Sequence, residues 1–139
     1  MALRVASEVV SRELRAYFRW LTVLEGMGKR EGAGVSRWYK SPFMHCYTRA
    51  GVMRGWDYEK PVVCLANIQL HKAIRGHGIF SEIVRKLQDG ADKFELHRIE
   101  IECVNNPGLA DWLTRATFQR YPQPSDGAPS TTFYLDVKS

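Results

Sequence analysis

The sequence predicts an α/β fold of the α+β kind, built on a mixed sheet, and three observations lead there. A near-continuous apolar run, Val62 to Leu70, ends in a basic turn punctuated by Gly76 and Gly78, and an amphipathic segment starts straight after it. A second strand-like run, His97 to Val104, follows that segment and completes a βαβ unit. Alternating stretches on either side of this unit read as antiparallel strands.

Taken in order, residues 7–24 carry Val10, Leu14, Tyr17, Phe18, Leu21 and Leu24 at helical spacing, with Ser7 as the N-cap. Leu3-Arg4-Val5 reads as a short strand before that helix. Residues 26–34 hold four glycines and three charges in nine positions and read as a mobile loop. Phe43 to Arg49 and Val52 to Trp56 flank Ala50-Gly51, which suggests a hairpin. Pro61 starts the central strand, whose unbroken apolar character suits cover on both faces. Ile79, Phe80, Ile83, Val84 and Leu87 form the buried stripe of the next helix, which Asp89-Gly90 weakens or ends. In the following strand Ile99, Ile101 and Cys103 share one face, while Glu100 and Glu102 share the other. Residues 105–108 turn into a short helix with Leu109, Trp112 and Leu113, and Thr131 to Val137 is a last strand after a loop from Pro122 to Ser130.

The length of 139 residues predicts one domain, 1–139, large enough for a core without disulfide or metal staples. With 45% apolar residues the chain is a folded one, and no apolar run approaches the roughly 18 residues that span a bilayer. Arg4, Glu8, Arg12 and Glu13 interrupt the N-terminus, so it does not read as a signal peptide. Cys46, Cys64 and Cys103 are an odd number without C-x-x-C spacing, which points to buried thiols in a reducing, cytoplasmic compartment. The net charge of +5 favours an anionic ligand, whether a phosphorylated cofactor or nucleic acid. Histidine and cysteine are too scattered for a metal site, and no serine-hydrolase or P-loop motif occurs.

The glycine turn carries the chemistry. Without a Cβ, Gly76 and Gly78 let the backbone approach a ligand closely. The N–H groups of Gly76 through Phe80 would then face a pyrophosphate at the positive end of the helix dipole, with Lys72 and Arg75 beside them.

Arg75-Gly76-His77-Gly78-Ile79-Phe80, in this order of elements, resembles the cofactor turn R/Q-x-x-G-x-G/A of the GNAT superfamily of acyl-CoA-dependent N-acyltransferases. The first and fourth positions match, and Phe80 stands at the sixth, where Gly or Ala is usual. Asn105 or Asn106 stands where the family often places an Asn, and Ala116-Thr117-Phe118 where it ends a helix near Gly-Phe. The resemblance implies a GNAT-like, mostly antiparallel sheet flanked by helices. It implies acetyl-CoA as co-substrate, its thioester near Ile68 to Leu70 and its pyrophosphate on residues 75–80. The family's tyrosine, which protonates the leaving thiolate, has Leu113 in its place. Tyr121 would take over only if the chain folds back.

The expected cofactor-binding residues are therefore Ile68, Leu70, Arg75, Gly76, His77, Gly78, Ile79, Phe80, Asn105 and Asn106, and the catalytic candidates are Glu102, His71 and Tyr121. Plainer roles compete: His71 and His77 as exposed turn residues, Glu102 as half of a cross-strand charge pair, Cys103 as a packed apolar residue. The aromatics Trp38, Tyr39, Phe43, Tyr47, Trp56 and Tyr58 read as core or as walls of an acceptor pocket. The activity implied is N-acetyl transfer to a primary amine on a protein, a nucleic acid or a small molecule, with a homodimer as a further partner and no membrane. Two rivals stay open. One is a fold member that binds acyl-CoA or a partner without turnover, given Leu113 and Phe80. The other is a nucleic-acid-directed modifier or binder, given the charge and the shared face of Arg12, Arg15 and Arg19.

Overall fold

The computed structural model of the protein describes residues 2–32, 34–52, 60–74, 76, 78–93, 95–102, 107–121 and 132–137. The elements in chain order are α1 (Ala2–Glu31), β1 (Val35–Lys40), β2 (Met44–Gly51), β3 (Val62–Leu70), a 3-10 turn (Lys72–Ile74), α2 (Ile79–Asp89), β4 (Arg98–Ile101), α3 (Pro107–Arg115), β5 (Gln119–Arg120) and β6 (Phe133–Asp136). They form one six-stranded sheet in the order β1-β2-β3-β4-β6-β5. β3 and β4 pair in parallel, as the βαβ reading requires, and the other pairs are antiparallel.

Two local expectations fail at the N-terminal end. Leu3-Arg4-Val5 is helical rather than a strand, and the glycine-rich stretch continues α1 to Glu31 rather than forming a loop. The buried stripe Val10, Leu14, Tyr17, Leu21 and Leu24 runs on to Gly28, which is also buried. Glu25 and Lys29 add an i,i+4 ion pair at 3.0 Å, and Lys29 and Arg30 sit at the negative end of the dipole. The stop is Gly32, at φ 67°, whose N–H donates to the Lys29 carbonyl.

The hairpin is also displaced. Ala50-Gly51 lies inside β2, and β2 pairs instead with β1 across Ser41-Pro42-Phe43. There the Ser41 hydroxyl oxygen accepts from the Phe43 and Met44 N–H groups at 3.2 and 3.0 Å, a side-chain turn that the glycine signal at 50–51 hid. Val52 to Trp56 falls largely outside the described residues.

The core lies between one face of the sheet and the helices. Val63, Leu65, Ile99, Ile101 and Phe133 meet the α1 stripe and Ile79, Ile83, Val84 and Leu87 of α2 there. At about 25 cal/mol per Å² of apolar surface, a fully buried side chain of this size contributes about 2 kcal/mol. Polar contacts fix α1 in register on the sheet. Tyr17 and Thr48 share a hydroxyl hydrogen bond at 2.8 Å, and the buried Glu13 carboxylate accepts from Tyr39 at 3.1 Å and Ser41 at 2.8 Å. Burial pushes the Tyr17 hydroxyl well up and the Cys46 thiol up, so both stay protonated.

α3 ends through Thr117, a β-branched residue at φ 69°. Its N–H donates to the Thr114 carbonyl and the next N–H, of Phe118, to the Leu113 carbonyl at 2.9 Å. This is the left-handed helix end that glycine usually occupies. Thr117→Gly is expected to stabilise the protein by about 1 kcal/mol, read as a higher urea midpoint, because the left-handed strain of an L residue is relieved. An unchanged or lowered midpoint would show that Thr117 is not strained.

Candidate functional site

The site begins with a β-bulge. Thr48 of β2 pairs with Leu65 and Tyr47 with Asn67, so Ala66 is an extra residue in β3. The parallel ladder to β4 ends at the same place, at Leu65 opposite Ile101, closed by the Glu102 N–H donating to the Leu65 carbonyl at 3.0 Å. Beyond this vertex, among the described residues, β3 pairs with β2 alone. The bulge also resets the side-chain alternation, so Ile68 and Leu70 pack toward the helix-side core, as Leu65 does. The His71 N–H donates to Phe43 on the β2 side, at 2.8 Å. By alternation the backbone groups of Ile68 point the other way, to the edge on which β4 pairs as far as Leu65.

At the open end of this gap stands the first turn of α2. Gly78 is its N-cap residue, left-handed at φ 71° and ψ 22°, and offers no side-chain cap. Gly76, at φ 78°, has no atom within 4 Å of where a Cβ would stand. The Glu82 N–H is held by the Gly78 carbonyl at 3.0 Å, which leaves the N–H groups of Ile79, Phe80 and Ser81 without intrahelical acceptors. Ile79 is buried, and Phe80 packs edge-on against Trp112 with ring centres 5.6 Å apart. The bulky residue at the sixth turn position thus points away from the donors, toward α3. An uncapped, glycine-flanked helix start suits a phosphate group.

The sheet face turned away from α1 carries a polar cluster. Arg49 of β2 pairs with Glu102 at 2.5 Å beside the vertex, and Cys64 lies buried between these strands. Burial drives the Cys64 thiol far up, which makes it inert as a nucleophile. Two residues back on β4, buried Glu100 accepts from the Tyr121 hydroxyl, which in turn accepts from Arg98 at 2.9 Å. Arg98 also forks onto Asp136 at 2.6 and 3.3 Å and lies over the Tyr134 ring. The Oε1 atom of Glu100 is buried with no hydrogen-bond partner among the described residues.

Burial raises the Glu100 carboxyl above the ordinary carboxylate range, against the lowering influence of Tyr121 and Arg98. Because the folded state then binds the proton more tightly than the unfolded chain does, Glu100 favours folding below that range. The contribution is lost as pH rises through its folded value. Glu100→Gln is therefore expected to gain stability relative to wild type as pH goes from 4 to 7, measured by urea melts at both. A constant difference would show that Glu100 titrates alike in both states.

The predicted residues do not all come together. Ile68, Leu70, Gly76, Gly78, Ile79 and Phe80 line the gap and the turn at its mouth. Glu102 sits at the vertex, in the cross-strand charge pair with Arg49. Arg75, His77, Cys103, Asn105, Asn106, Trp56 and Tyr58 lie outside the described residues. His71 follows β3, but its Nδ1 accepts from the Ala73 N–H at 3.0 Å and so caps the 3-10 turn. Tyr121 is tied to Glu100 and Arg98 under β4. Leu113 is wholly buried in the core. Of the aromatics, Tyr39 is core, Phe43 packs against His71, and Trp38, 40% exposed, lies tilted against Tyr47 on the far face. Sequence reading did not find Arg49, Glu100, Arg98 or the bulge. The Glu100–Glu102 alternation was visible, but their partners Tyr121 and Arg49 lie 21 and 53 residues away along the chain.

No protein-family model matches the chain, and no curated protein matches its sequence. Solved structures do match. An acetyltransferase of the GNAT family from Listeria monocytogenes 4b F2365 aligns at 11% identity and TM-score 0.50, covering 69% of this chain and 58% of that one. An acetyltransferase of the GNAT family from Staphylococcus aureus Mu50 aligns at 12% and 0.44, covering 67% and 60%. A structure of the NatC complex bound to Gag peptide and CoA aligns at 16% and 0.49, covering 70% and 62%. The chain thus spans about three-fifths of the length of each of these. At these identities the likeness is one of fold, and the fold is that of the GNAT acetyltransferases. No helix among the described residues is long and apolar enough to cross a membrane.

Proposed function

From the GNAT fold as premise, we propose that this chain is an N-acetyltransferase using acetyl-CoA as co-substrate. One observation supports the reading: among the described residues the β3–β4 ladder ends at Leu65 and Glu102, and β3 leads on to an uncapped, glycine-flanked helix start. The N–H groups of Ile79, Phe80 and Ser81, with Arg75, hold the pyrophosphate. The gap beside Ile68 takes the pantetheine arm. Acetyl-CoA supplies the activated thioester. The Ile68 N–H, which by strand alternation points away from β2, steadies the carbonyl oxygen as charge develops on it. The amine nitrogen bonds to the carbonyl carbon and the C–S bond breaks; the proton that the nitrogen sheds passes through solvent to the leaving thiolate, which departs as coenzyme A.

Proton handling is sparse. Glu102 is the carboxylate nearest the vertex, and Arg49 fixes its orientation. His71 Nδ1 is occupied by the turn it caps, and the Tyr121 hydroxyl by Glu100. With Leu113 in the core, no hydroxyl occupies the family's acid position. Rate enhancement then rests on holding amine and thioester together, an effect that supplies up to about 7–11 kcal/mol in well-oriented systems.

The buried Leu113 also favours a second reading, in which the fold binds an acyl-CoA without turnover. Thiol release from acetyl-CoA, measured against a panel of amines, peptides and basic proteins, separates the two. The enzyme reading expects release above background that rises with pH as the acceptor amine loses its proton. Tight coenzyme A binding with no release for any acceptor would leave the binding reading in its place.

A further inference from the structure

We propose that the groove between α1 and α2 binds one phosphodiester strand of a nucleic acid. The groove measures about 840 Å³ and opens on the helix side of the sheet. Five cationic side chains, Arg15, Arg19, Arg85, Lys86 and Lys93, face two carboxylates there, Glu82 and Asp89. Its net charge is therefore +3, against +5 for the whole chain. Both carboxylates are taken up by one residue, since Arg85 contacts Glu82 at 2.5 Å and Asp89 at 3.6 Å. Arg15, Arg19, Lys86 and Lys93 are all exposed and make no ion pair among the described residues.

The cations stand on both walls, two on α1 and two along or just past α2, so an occupant between them is neutralised from either side. Leu14 and Phe18 also line the groove and give the arginine stems an apolar surface to lie on. Arg15 and Arg19 are one helical turn apart, about 6 Å along α1. Exposed Arg12 extends the row to about 10 Å, a length over which one DNA strand carries about three phosphates. A concave groove admits a strand, whereas a flat anionic bilayer would touch only its rims. The site lies on the opposite side of the sheet from the Arg49–Glu102 cluster, and it stands whether or not the acyl-transfer reading does.

The test is fluorescence anisotropy with labelled single-stranded RNA and DNA and duplex DNA between 50 and 200 mM salt, roughly the range over which such contacts show their salt dependence. Four neutralised phosphates predict a log–log slope of about −3 on single strands. Arg15→Ala/Arg19→Ala and Lys86→Ala/Lys93→Ala should each bring the slope to about −1.4. All four positions are exposed, and unchanged melting curves confirm that the variants remain folded. Absent binding at low salt, or a wild-type slope in either double variant, overturns the groove. Binding to phosphatidylserine vesicles but not to any oligonucleotide overturns the assignment of nucleic acid.

Discussion

Gly78→Val is expected to weaken coenzyme A binding by at least about two decades while leaving a folded protein. The residue stands at φ 71° and ψ 22°, where a β-branched side chain is strained. The space itself is available, because a Cβ there would meet only Ser81 Oγ at 3.4 Å. Relief must therefore come from the backbone, and a shift at the N-cap re-aims the N–H groups of Ile79 and Phe80. Losing two hydrogen bonds to a charged phosphate, each about 1.5 kcal/mol or more, amounts to about 3 kcal/mol, or two decades in affinity. The strain itself should cost about 1–2 kcal/mol of stability. Arg75→Ala, which leaves the turn's backbone alone, is expected to weaken binding by about one to two decades. Calorimetry on wild type and both variants decides the matter. Wild-type affinity in both would move the cofactor away from α2 and take the proposed function with it.

What the sequence revealed here, and what it hid, follows from how far apart the cooperating residues lie. The β3–turn–α2 unit was legible because its signals are local: an apolar run, two glycines and a helical stripe in fewer than thirty residues. β4 was legible for the same reason, since Ile99 and Ile101 alternate with Glu100 and Glu102 and the two pairs do face opposite ways. The hairpin was misplaced because Ala50-Gly51 looks like a turn, yet both residues pair across the sheet with Val63 and Val62. Tertiary pairing overrode the local signal there. The glycines of α1 misled in the same way, because helix propensity near 1 kcal/mol per glycine is outweighed by a buried stripe running the helix's length. The bulge at Ala66, beside the end of the β3–β4 ladder, leaves no mark in composition: alanine inside an apolar strand is unremarkable until the register with β2 is known. The contacts that position Glu102 and Tyr121 are likewise between strands, and only the fold brings them together.

Leu113→Tyr, which on the family pattern restores an acid, is expected to cost stability instead. Leu113 is completely buried, and its carbonyl accepts the Phe118 N–H at 2.9 Å at the end of α3. Phe118 and Phe133 belong to the same core, so a larger ring must displace close-packed neighbours, at about 1–3 kcal/mol. Burying a phenol hydroxyl without an acceptor adds about 1–3 kcal/mol more. Leu113→Ala fails in the opposite sense, by leaving a cavity, and should cost about 3 kcal/mol. Leu113→Met, nearly equal in volume, should cost less than about 1.5 kcal/mol. Urea midpoints for the three variants test the packing, and thiol release by the tyrosine variant tests the chemistry. If the tyrosine variant keeps its midpoint and turns over faster, the side chain at 113 faces the gap and the core placement is wrong. If it melts early and turns over no faster, the position serves packing, and the leaving thiolate takes its proton from elsewhere than α3.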